Sequence, residues 1–258
     1  MKTVFFTWIT NDFKDTIVDY RSFYKSFKYF HPDIDLIVFD DEKIKEVFGS
    51  ESWLCPVNCK AAFAKRLYDD YDLVVNVDAD FYFFDRCHEI LEGDYDVAAC
   101  ANFNSCLNTQ LKGGYNIGNR YIPDVDYVHY VQAGLIASTQ KEFWNDFHDA
   151  SRDLWNKFPC FENDTLNIVW FSGKYKTKIL DGDYDYRSSN FKQYYNCSIL
   201  GKERLAVIQN DRVTLDNKPV RSYHVAYGNS GPNGPRKKRL HQLFNSDVVQ
   251  WFNQKIHS

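Results

Sequence analysis

The sequence YDLVVNVDADFYFF, from Tyr71 to Phe84, decides the fold that we expect for this chain. Its apolar core, Leu73–Val77, is rich in β-branched residues, which is typical of a strand buried on both faces. The run ends in two carboxylates, Asp78 and Asp80, and open α/β folds bind ligands at the carboxyl ends of their strands. Carboxylates this close repel each other unless a cation lies between them. The stretch therefore indicates either a site for Mg²⁺ or Mn²⁺, which prefer oxygen ligands, or a solvated acidic turn.

The length and composition are those of a globular α/β protein. The chain has 258 residues, of which 44% are hydrophobic and 26% charged, enough for one large domain with or without a small appendage. The formal net charge of −4 argues against a general nucleic-acid binder, and the one dense basic run is Arg236-Lys237-Lys238-Arg239. We therefore expect no nucleic-acid partner.

The cysteines and the N-terminus bear on the compartment. Seven cysteines follow no regular spacing, and the pair Cys55 and Cys59 lacks the second pair or the histidines of a zinc site. Reduced thiols of this kind fit the cytosol. The apolar start, residues 4–9, is too short for a signal peptide, and no stretch is long enough to span a bilayer. The expectation is a cytoplasmic protein.

The order of elements before the acidic strand predicts a doubly wound sheet. Residues 4–9 and 34–39 have strand composition, and the segment between them carries apolar residues at helical spacing up to His31-Pro32. A further helix, residues 58–70, leads directly into the acidic strand. Lys60 lies on the apolar face of that helix. It therefore either extends its ammonium to water along the apolar surface or reaches a ligand phosphate.

The second half of the chain predicts more strands and helices around a long loop. Residues 102–130 lack periodicity and are expected to form a loop, and residues 131–137 a strand interrupted by Gly134. Helices are expected at 139–158 and 162–170, short strands at 178–180, 205–208 and 220–226, and an amphipathic helix at 236–258. Docking of this last helix onto the domain is the favoured role, and peripheral membrane contact is the alternative.

These parts, in this order, resemble a glycosyltransferase of the GT-A fold, most like the glycogenin-like branch. Five segments carry the resemblance: Thr7 to Asp12; Lys60 to Asp80; Gln132-Ala133-Gly134; Glu162 to Asn167, similar to the motif D-Q-D-x-L-N; and His224 with Gly228 and the basic run. The resemblance implies an α/β fold with a Rossmann-like, mostly parallel sheet, flanking helices and a C-terminal amphipathic helix. It implies a single domain over 1–258, with a nucleotide-sugar-binding half (1–101), an acceptor and donor-sugar half (102–235) and the C-terminal helix (236–258).

The same resemblance implies the function and the site residues. The activity would be transfer of a sugar from a nucleotide diphosphate sugar, with a UDP-sugar as the expected donor, to a carbohydrate or glycoprotein acceptor. Mn²⁺ or Mg²⁺ would be held by Asp78, Asp80 and His224, and the implied catalytic residues are Asp164 and Glu162. Donor binding would involve Thr7, Trp8, Thr10, Lys60, Asp78, Gln132, Ala133, Gly134, Gly228 and Lys237.

Two departures from the family pattern leave points open. Glu162 and Asn163 replace the first two residues of D-Q-D, which bears on stereochemistry: a retaining enzyme, which the resemblance favours, needs no general base, whereas an inverting enzyme would use Glu162 or Asp164. These acidic residues also suit the N-terminus of a helix for electrostatic reasons alone. The distance from His224 to the basic run exceeds that of the motif H-x-x-G-x-x-K, so any of residues 236–238 could contact phosphate.

Two other functions use similar residues. A phosphatase of the haloacid dehalogenase type has D-x-D-x-T, but Tyr82 stands at the threonine position here. Its motif also follows the first strand, whereas several elements precede Asp78. A carbohydrate-binding module without activity would not need Asp78 and Asp80 intact.

Overall fold

The computed structural model describes residues 1–9, 20–48, 59–101, 115–117, 120–122, 131–155, 162–180, 186–187, 205–224 and 244–258. They fall into two compact units. The first unit comprises Met1–Trp8, Asp35–Val77 and Glu89–Leu180. The second comprises Ile9–Ile34, Asp78–His88 and Asp181–Ser258.

The described residues contain fourteen strands and seven helices. The strands are β1 (Thr3–Trp8), β2 (Asp35–Phe39), β3 (Leu73–Val77), β4 (Phe81–Phe83), β5 (Val97–Ala101), β6 (Tyr115–Ile117), β7 (Arg120–Ile122), β8 (Val131–Ser138), β9 (Thr177–Leu180), β10 (Tyr186–Arg187), β11 (Val207–Gln209), β12 (Arg212–Leu215), β13 (Lys218–Pro219) and β14 (Ser222–His224). The helices are α1 (Tyr20–Phe30), α2 (Asp41–Phe48), α3 (Cys59–Leu67), α4 (His88–Leu91), α5 (Lys141–Trp155), α6 (Glu162–Trp170) and α7 (Ser246–His257).

The first unit is built on a six-stranded sheet with the strand order β2-β1-β3-β8-β5-β9. Strand β1 is parallel to β2 and β3, and β5 is parallel to β9. Strand β8 is antiparallel to both of its neighbours, β3 and β5. All residues of β3 and β8 are buried, as the β-branched, apolar sequence of a central strand predicts. The expected α/β class with a mostly parallel sheet is confirmed.

Helices cover the sheet through one large apolar cluster. Helix α3 contacts β1, β3 and α5, and α6 contacts α5 and β8. The apolar face of helix α3 points inward, because Phe63 and Ala64 are fully buried and Leu67 nearly so. Phe63 stacks on Phe39 of β2 with ring centroids 3.9 Å apart. This packing holds the N-terminal half of α3, which carries Lys60, against the sheet.

Strand β8 changes register beside Gly134. Ala99 of β5 pairs with Ile136, but the next residue, Cys100, pairs with Gln132. The residues of β8 between these two pairs therefore bulge out of the β5 ladder. The irregularity lies at the glycine that the sequence singled out.

The prediction of a continuous loop over 102–130 is wrong in one part. Strands β6 and β7 lie within it and form an antiparallel hairpin. The sequence signal was present, since Gly118-Asn119 between two short strand-like triplets is a two-residue turn signal. Three-residue strands are too short for the alternation of apolar and polar residues to reveal them.

The second unit contains two small sheets and the C-terminal helix. One sheet has the order β10-β14-β4, with β14 antiparallel to β4 and parallel to β10, and the other is the meander β11-β12-β13. Both turns of the meander place two residues at positive φ, which suits asparagine and aspartate. These residues are Asn210, Asp211, Asp216 and Asn217.

Helix α7 docks within the second unit, as expected. Asn245 caps its N-terminus by accepting a hydrogen bond from Val248 N at 3.0 Å. The apolar face packs among the rings of β4 and β14 and is buried at Val248, Trp251, Phe252 and Ile256. The first part of the expected helix, residues 236–243, lies outside the described residues. Among the helices of the described ranges, none combines the length and the apolar character needed to cross a bilayer.

Candidate metal and donor-sugar sites

A tight turn places the two aspartates that follow β3. Phe81 N donates a hydrogen bond to Asp78 O at 3.3 Å, which closes a four-residue turn over Asp78-Ala79-Asp80-Phe81. The apolar residues on either side hold this turn, because Ala79 is nearly buried and Phe81 begins the fully buried strand β4. The side chain of Asp78 is 30% exposed and that of Asp80 is 11% exposed. Both carboxylates are thus partly withdrawn from water.

His224 completes a cluster with these two aspartates in the second unit. It is the last residue of β14 and pairs directly with Phe81 in the β4–β14 ladder. His224 Nε2 lies 3.3 Å from Asp80 Oδ1 and 3.8 Å from Asp78 Oδ2. One ligand atom from each of the three residues lies within 4.8 Å of the others. The structure therefore brings together all three residues that were expected to hold a metal ion.

The chemistry of this donor set fits a divalent ion. Two carboxylates and one imidazole offer two hard oxygens and one nitrogen. Oxygen ligands suit Mg²⁺ and Mn²⁺, and imidazole extends the set towards transition metals. Two partly buried carboxylates repel each other, and a dication between them removes that repulsion. Within the described residues this is the one group of three or more such side chains with ligand spacing.

Phe81 is a residue of this cluster that the sequence analysis did not assign. Its ring stacks on the imidazole of His224, with the centroids 4.3 Å apart and an angle of 19° between the planes. His224 is 5% exposed, so little of its imidazole meets solvent. The position of Phe81 directly after Asp80 was the available signal, but the ladder that joins it to His224 is a long-range contact.

A second group of expected residues meets in the first unit. Lys60, in the first turn of α3, is 2% exposed. Its Nζ donates hydrogen bonds to Ala133 O at 2.8 Å and to Glu162 Oε2 at 3.1 Å, and lies 3.1 Å from Glu162 Oε1. The inward direction expected for Lys60 is correct. Its partner is a carboxylate of the same unit, an arrangement that the sequence alone did not indicate.

Two asparagines of α6 bind the backbone of β8 beside this ion pair. Asn163 Oδ1 accepts a hydrogen bond from Ala133 N at 2.8 Å. Asn167 Oδ1 accepts one from Val131 N at 2.8 Å, and Asn167 Nδ2 donates to Val131 O at 2.7 Å. Neither asparagine had an expected role from the sequence. Their spacing of four residues, which places both on one face of a helix, was the signal that pointed to them.

The other expected donor-binding residues are placed as follows. Gln132 is buried and its Oε1 accepts a hydrogen bond from Gly134 N at 2.7 Å, so this side chain braces its own turn. Thr7 is buried in β1, and Trp8, the last residue of that strand, is partly buried. Thr10, Gly228, Lys237 and the side chain of Asp164 lie outside the described residues.

Comparison with known proteins rests on structure. The sequence matches no protein-family model and no curated protein. Solved glycosyltransferases are similar in structure over almost all of this chain. The galactosyltransferase LgtC, solved with donor and acceptor sugar analogues, is 12% identical with a TM-score of 0.52, over 98% of this chain and 95% of LgtC.

The chain has the GT-A glycosyltransferase fold.

Two further structures agree. The glycosyltransferase GlyE of Streptococcus pneumoniae is 12% identical with a TM-score of 0.57, over the whole of this chain and 62% of GlyE. The bifunctional glycosyltransferase WbbM is 15% identical with a TM-score of 0.52, over 99% of this chain. The chain spans about half of WbbM, 49% of its length. At such identities the likeness establishes the fold, and the glycogenin-like branch stays a prediction.

The fold does not favour the phosphatase alternative. A haloacid dehalogenase motif follows the first strand, whereas the pair Asp78 and Asp80 follows β3, which lies between β1 and β8 in the sheet.

Proposed function

We propose that this chain is a glycosyltransferase that moves a sugar from a nucleotide diphosphate sugar to a glycan or glycoprotein acceptor, with Mn²⁺ or Mg²⁺ as its cofactor. The observation that carries the proposal is the convergence of Asp78, Asp80 and His224 to within 4.8 Å in a chain with the GT-A fold. The donor nucleotide that the family resemblance favours is UDP.

The ion held by Asp78, Asp80 and His224 would assist the nucleoside diphosphate as the leaving group. When bound, the ion supplies positive charge to the diphosphate, a poor leaving group unless its new charge is neutralised. Asp78 and Asp80 would hold the ion through their carboxylates, and His224 would do so through neutral Nε2. Phe81 keeps the imidazole in one orientation, because its ring covers one face of His224. A ligand set that is already placed loses little freedom on binding.

The group around Lys60 is proposed to bind the donor as well. Its buried ammonium would add positive charge beside the developing anion, and such electrostatic stabilisation is usually the largest single contribution to catalysis. Ala133 and Glu162 fix the position of this ammonium in the structure. The turn from Gln132 to Gly134 would line the donor sugar.

The Lys60–Glu162 contact argues against Glu162 as a general base. Both oxygens of the Glu162 carboxylate lie 3.1 Å from Lys60 Nζ. An ammonium this close stabilises the charged carboxylate and so makes it a weaker base. A retaining enzyme needs no general base to activate the acceptor, which agrees with this arrangement. Asp164 remains the other candidate for a catalytic carboxylate.

A thermal-shift screen followed by a turnover assay tests the proposal. A ligand that binds only the folded state raises the melting temperature. At a concentration 100 times its Kd it adds about 2.7 kcal/mol to the free energy of unfolding. We expect a UDP-sugar to raise the melting temperature with Mn²⁺ and much less with EDTA. The same donor should then be hydrolysed or transferred only when the ion is present. Binding without any turnover of donors would identify a carbohydrate-binding protein instead, and no stabilisation by any nucleotide sugar would reject both.

A further inference from the structure

Among the described residues, the end of β8 that would face the donor has a strand partner on one side only: β5 pairs with Gln132 and Val131, but β3 does not reach them. Strand β3 pairs with β8 from Ser138 only as far as Leu135, where β3 ends at Val77. Buried backbone N–H and C=O groups need partners, since an unpaired buried group costs free energy comparable to a lost hydrogen bond. The backbone groups of Val131 and Ala133 that point to the β3 side lie past this end and must therefore find partners elsewhere.

Side chains of α6 and α3 supply them. Val131 N–H and C=O both bind the carboxamide of Asn167, at 2.8 Å and 2.7 Å. Ala133 N–H binds Asn163 Oδ1 at 2.8 Å, and Ala133 C=O accepts from Lys60 Nζ at 2.8 Å. The two alternate residues of the strand thus pair with three side chains as they would with a neighbouring strand.

Asn167 makes three hydrogen bonds through its one carboxamide. It is fully buried, and its Oδ1 accepts one hydrogen bond while its Nδ2 donates two, to Val131 O and to Asn163 O at 2.6 Å. Only a carboxamide offers one acceptor and two donors in this geometry. The bond to Asn163 O also ties the carboxamide to the turn of the helix that bears Asn163.

We propose that Asn167 is a positioning residue for the donor sugar: by holding both backbone groups of Val131, it fixes the turn Gln132-Ala133-Gly134 against α6. The inference rests on the proposed function, in which this turn lines the sugar. Asn167 itself contacts the strand rather than the donor. It acts through the backbone that carries Ala133 O, the oxygen that holds Lys60. A small displacement of this backbone would move the sugar and the buried ammonium together.

The substitution Asn167→Asp tests this. Aspartate keeps an oxygen that can accept from Val131 N, but it loses both donors and turns a second oxygen towards two carbonyl groups. We expect kcat to fall about 100-fold, the size of effect that a 1 Å misplacement produces, with an unchanged Kd for Mn²⁺. Amide hydrogen exchange at Val131 and Ala133 should become faster. If Asn167→Asp does not yield folded protein, Asn167→Ser, which leaves room for water, is measured in the same way and should show the same pattern with a smaller loss.

Tyr68→Phe is the matched control. Tyr68 OH donates a hydrogen bond to Ser138 O at the other end of β8, so this variant also loses one bond from a side chain to that strand. A purely structural role for Asn167 predicts that both variants lose stability and that neither changes kcat of the folded protein. The inference predicts a fall in kcat for the Asn167 variants alone.

The outcomes separate this inference from the proposed function. Absence of donor turnover by the wild-type protein would reject both. Turnover by the wild type with an undiminished kcat in the Asn167 variants, or with unchanged exchange at Val131, would reject the positioning role alone.

Discussion

The imidazole of His224 lies against the ring of Phe81, with the centroids 4.3 Å apart and the planes 19° from parallel. Phe81 follows Asp80 in the chain and faces His224 across the β4–β14 ladder. One aromatic residue therefore directly follows a proposed metal-binding aspartate in the chain and stacks on the proposed metal-binding imidazole. Groups around a metal ligand tune its affinity because they fix the orientation of the ligating ring.

Phe81→Leu should weaken metal binding while most of the apolar volume remains. Loss of the flat ring lets the imidazole of His224 turn, and we expect the affinity for Mn²⁺ to fall about 10-fold, the lower end of such effects. Calorimetric titration with Mn²⁺ measures this. Phe84→Leu is the matched control, since Phe84 directly follows the same strand and is almost fully buried but packs on Phe244 and Phe252. Equal losses of affinity in both variants would show that β4 packing in general, and not the stacked ring, supports the site.

Asp80→Asn should abolish metal-dependent turnover of the donor without unfolding the protein. The amide lacks the negative charge that attracts a dication, yet it has almost the same shape as the carboxylate. Removing one of two neighbouring negative charges also relieves repulsion, so we expect a melting temperature at or above that of the wild type without metal.

Initial rates of donor turnover over a range of Mn²⁺ concentrations check this prediction. Asp247→Asn, an exposed aspartate in the first turn of α7, controls for the loss of one negative charge from the protein. Wild-type rates from Asp80→Asn would remove this carboxylate from the metal site.

The periodicity of the sequence correctly locates the helices and strands that pack against large apolar surfaces. Residues 162–170 were expected to be helical, and α6 is Glu162–Trp170. The acidic start and the apolar residues that follow are local signals of a helix, which do not depend on distant contacts. The same holds for β3, whose β-branched run needs a buried sheet whatever its neighbours are.

The contacts that build the two sites depend on pairing across long stretches of chain, which local patterns do not encode. The inward position of Lys60 followed from helical spacing, but its bond to Glu162 depends on how α3 and α6 meet at β8. Asn167 was part of a family-like motif, but its role follows from the end of β3 at Val77, which leaves the backbone at Val131 in need of a partner.

His31 should make the protein less stable in mild acid. It is fully buried, and its Nε2 accepts a hydrogen bond from Cys87 N at 3.1 Å. Burial, and secondly the nearby charge of Arg86, lower the pKa of His31 to about 3. The unfolded chain binds this proton near the usual pKa of about 6.5. Between these two values only the unfolded state is protonated, so stability falls as the pH falls.

We expect His31 to reduce the free energy of unfolding by about 1.4 kcal/mol for each pH unit below about 6.5. Urea denaturation at several pH values from 7 to 4 measures the slope. His31→Gln, whose amide oxygen can accept from Cys87 N but does not titrate, should remove that part of the slope. Identical slopes in the two proteins would show that His31 is protonated in the folded state as well.

Glu162→Gln should destabilise the protein more than it slows the reaction. Lys60 would keep its buried charge without a carboxylate beside it, and breaking one side of a buried ion pair costs up to about 3–5 kcal/mol. Glu162 retains 24% exposure, so the lower part of that range applies. If Glu162 positions Lys60 and is not the base, turnover by the folded variant should stay within about 10-fold of wild type. Loss of a general base would cost about 100-fold to 10,000-fold.

Two measurements distinguish these roles. Denaturation of Glu162→Gln and of the double variant Lys60→Met with Glu162→Gln tests the ion pair, because removing both charges should recover much of the stability that the single change loses. NMR of the first product formed gives the anomeric configuration before it equilibrates. A fall in turnover of about 100-fold or more, as expected for the loss of a general base, together with an inverted product, would assign base catalysis to Glu162. A retained configuration with a modest loss of rate would show that the Glu162 carboxylate positions the Lys60 ammonium beside Ala133 O and does not act as the base.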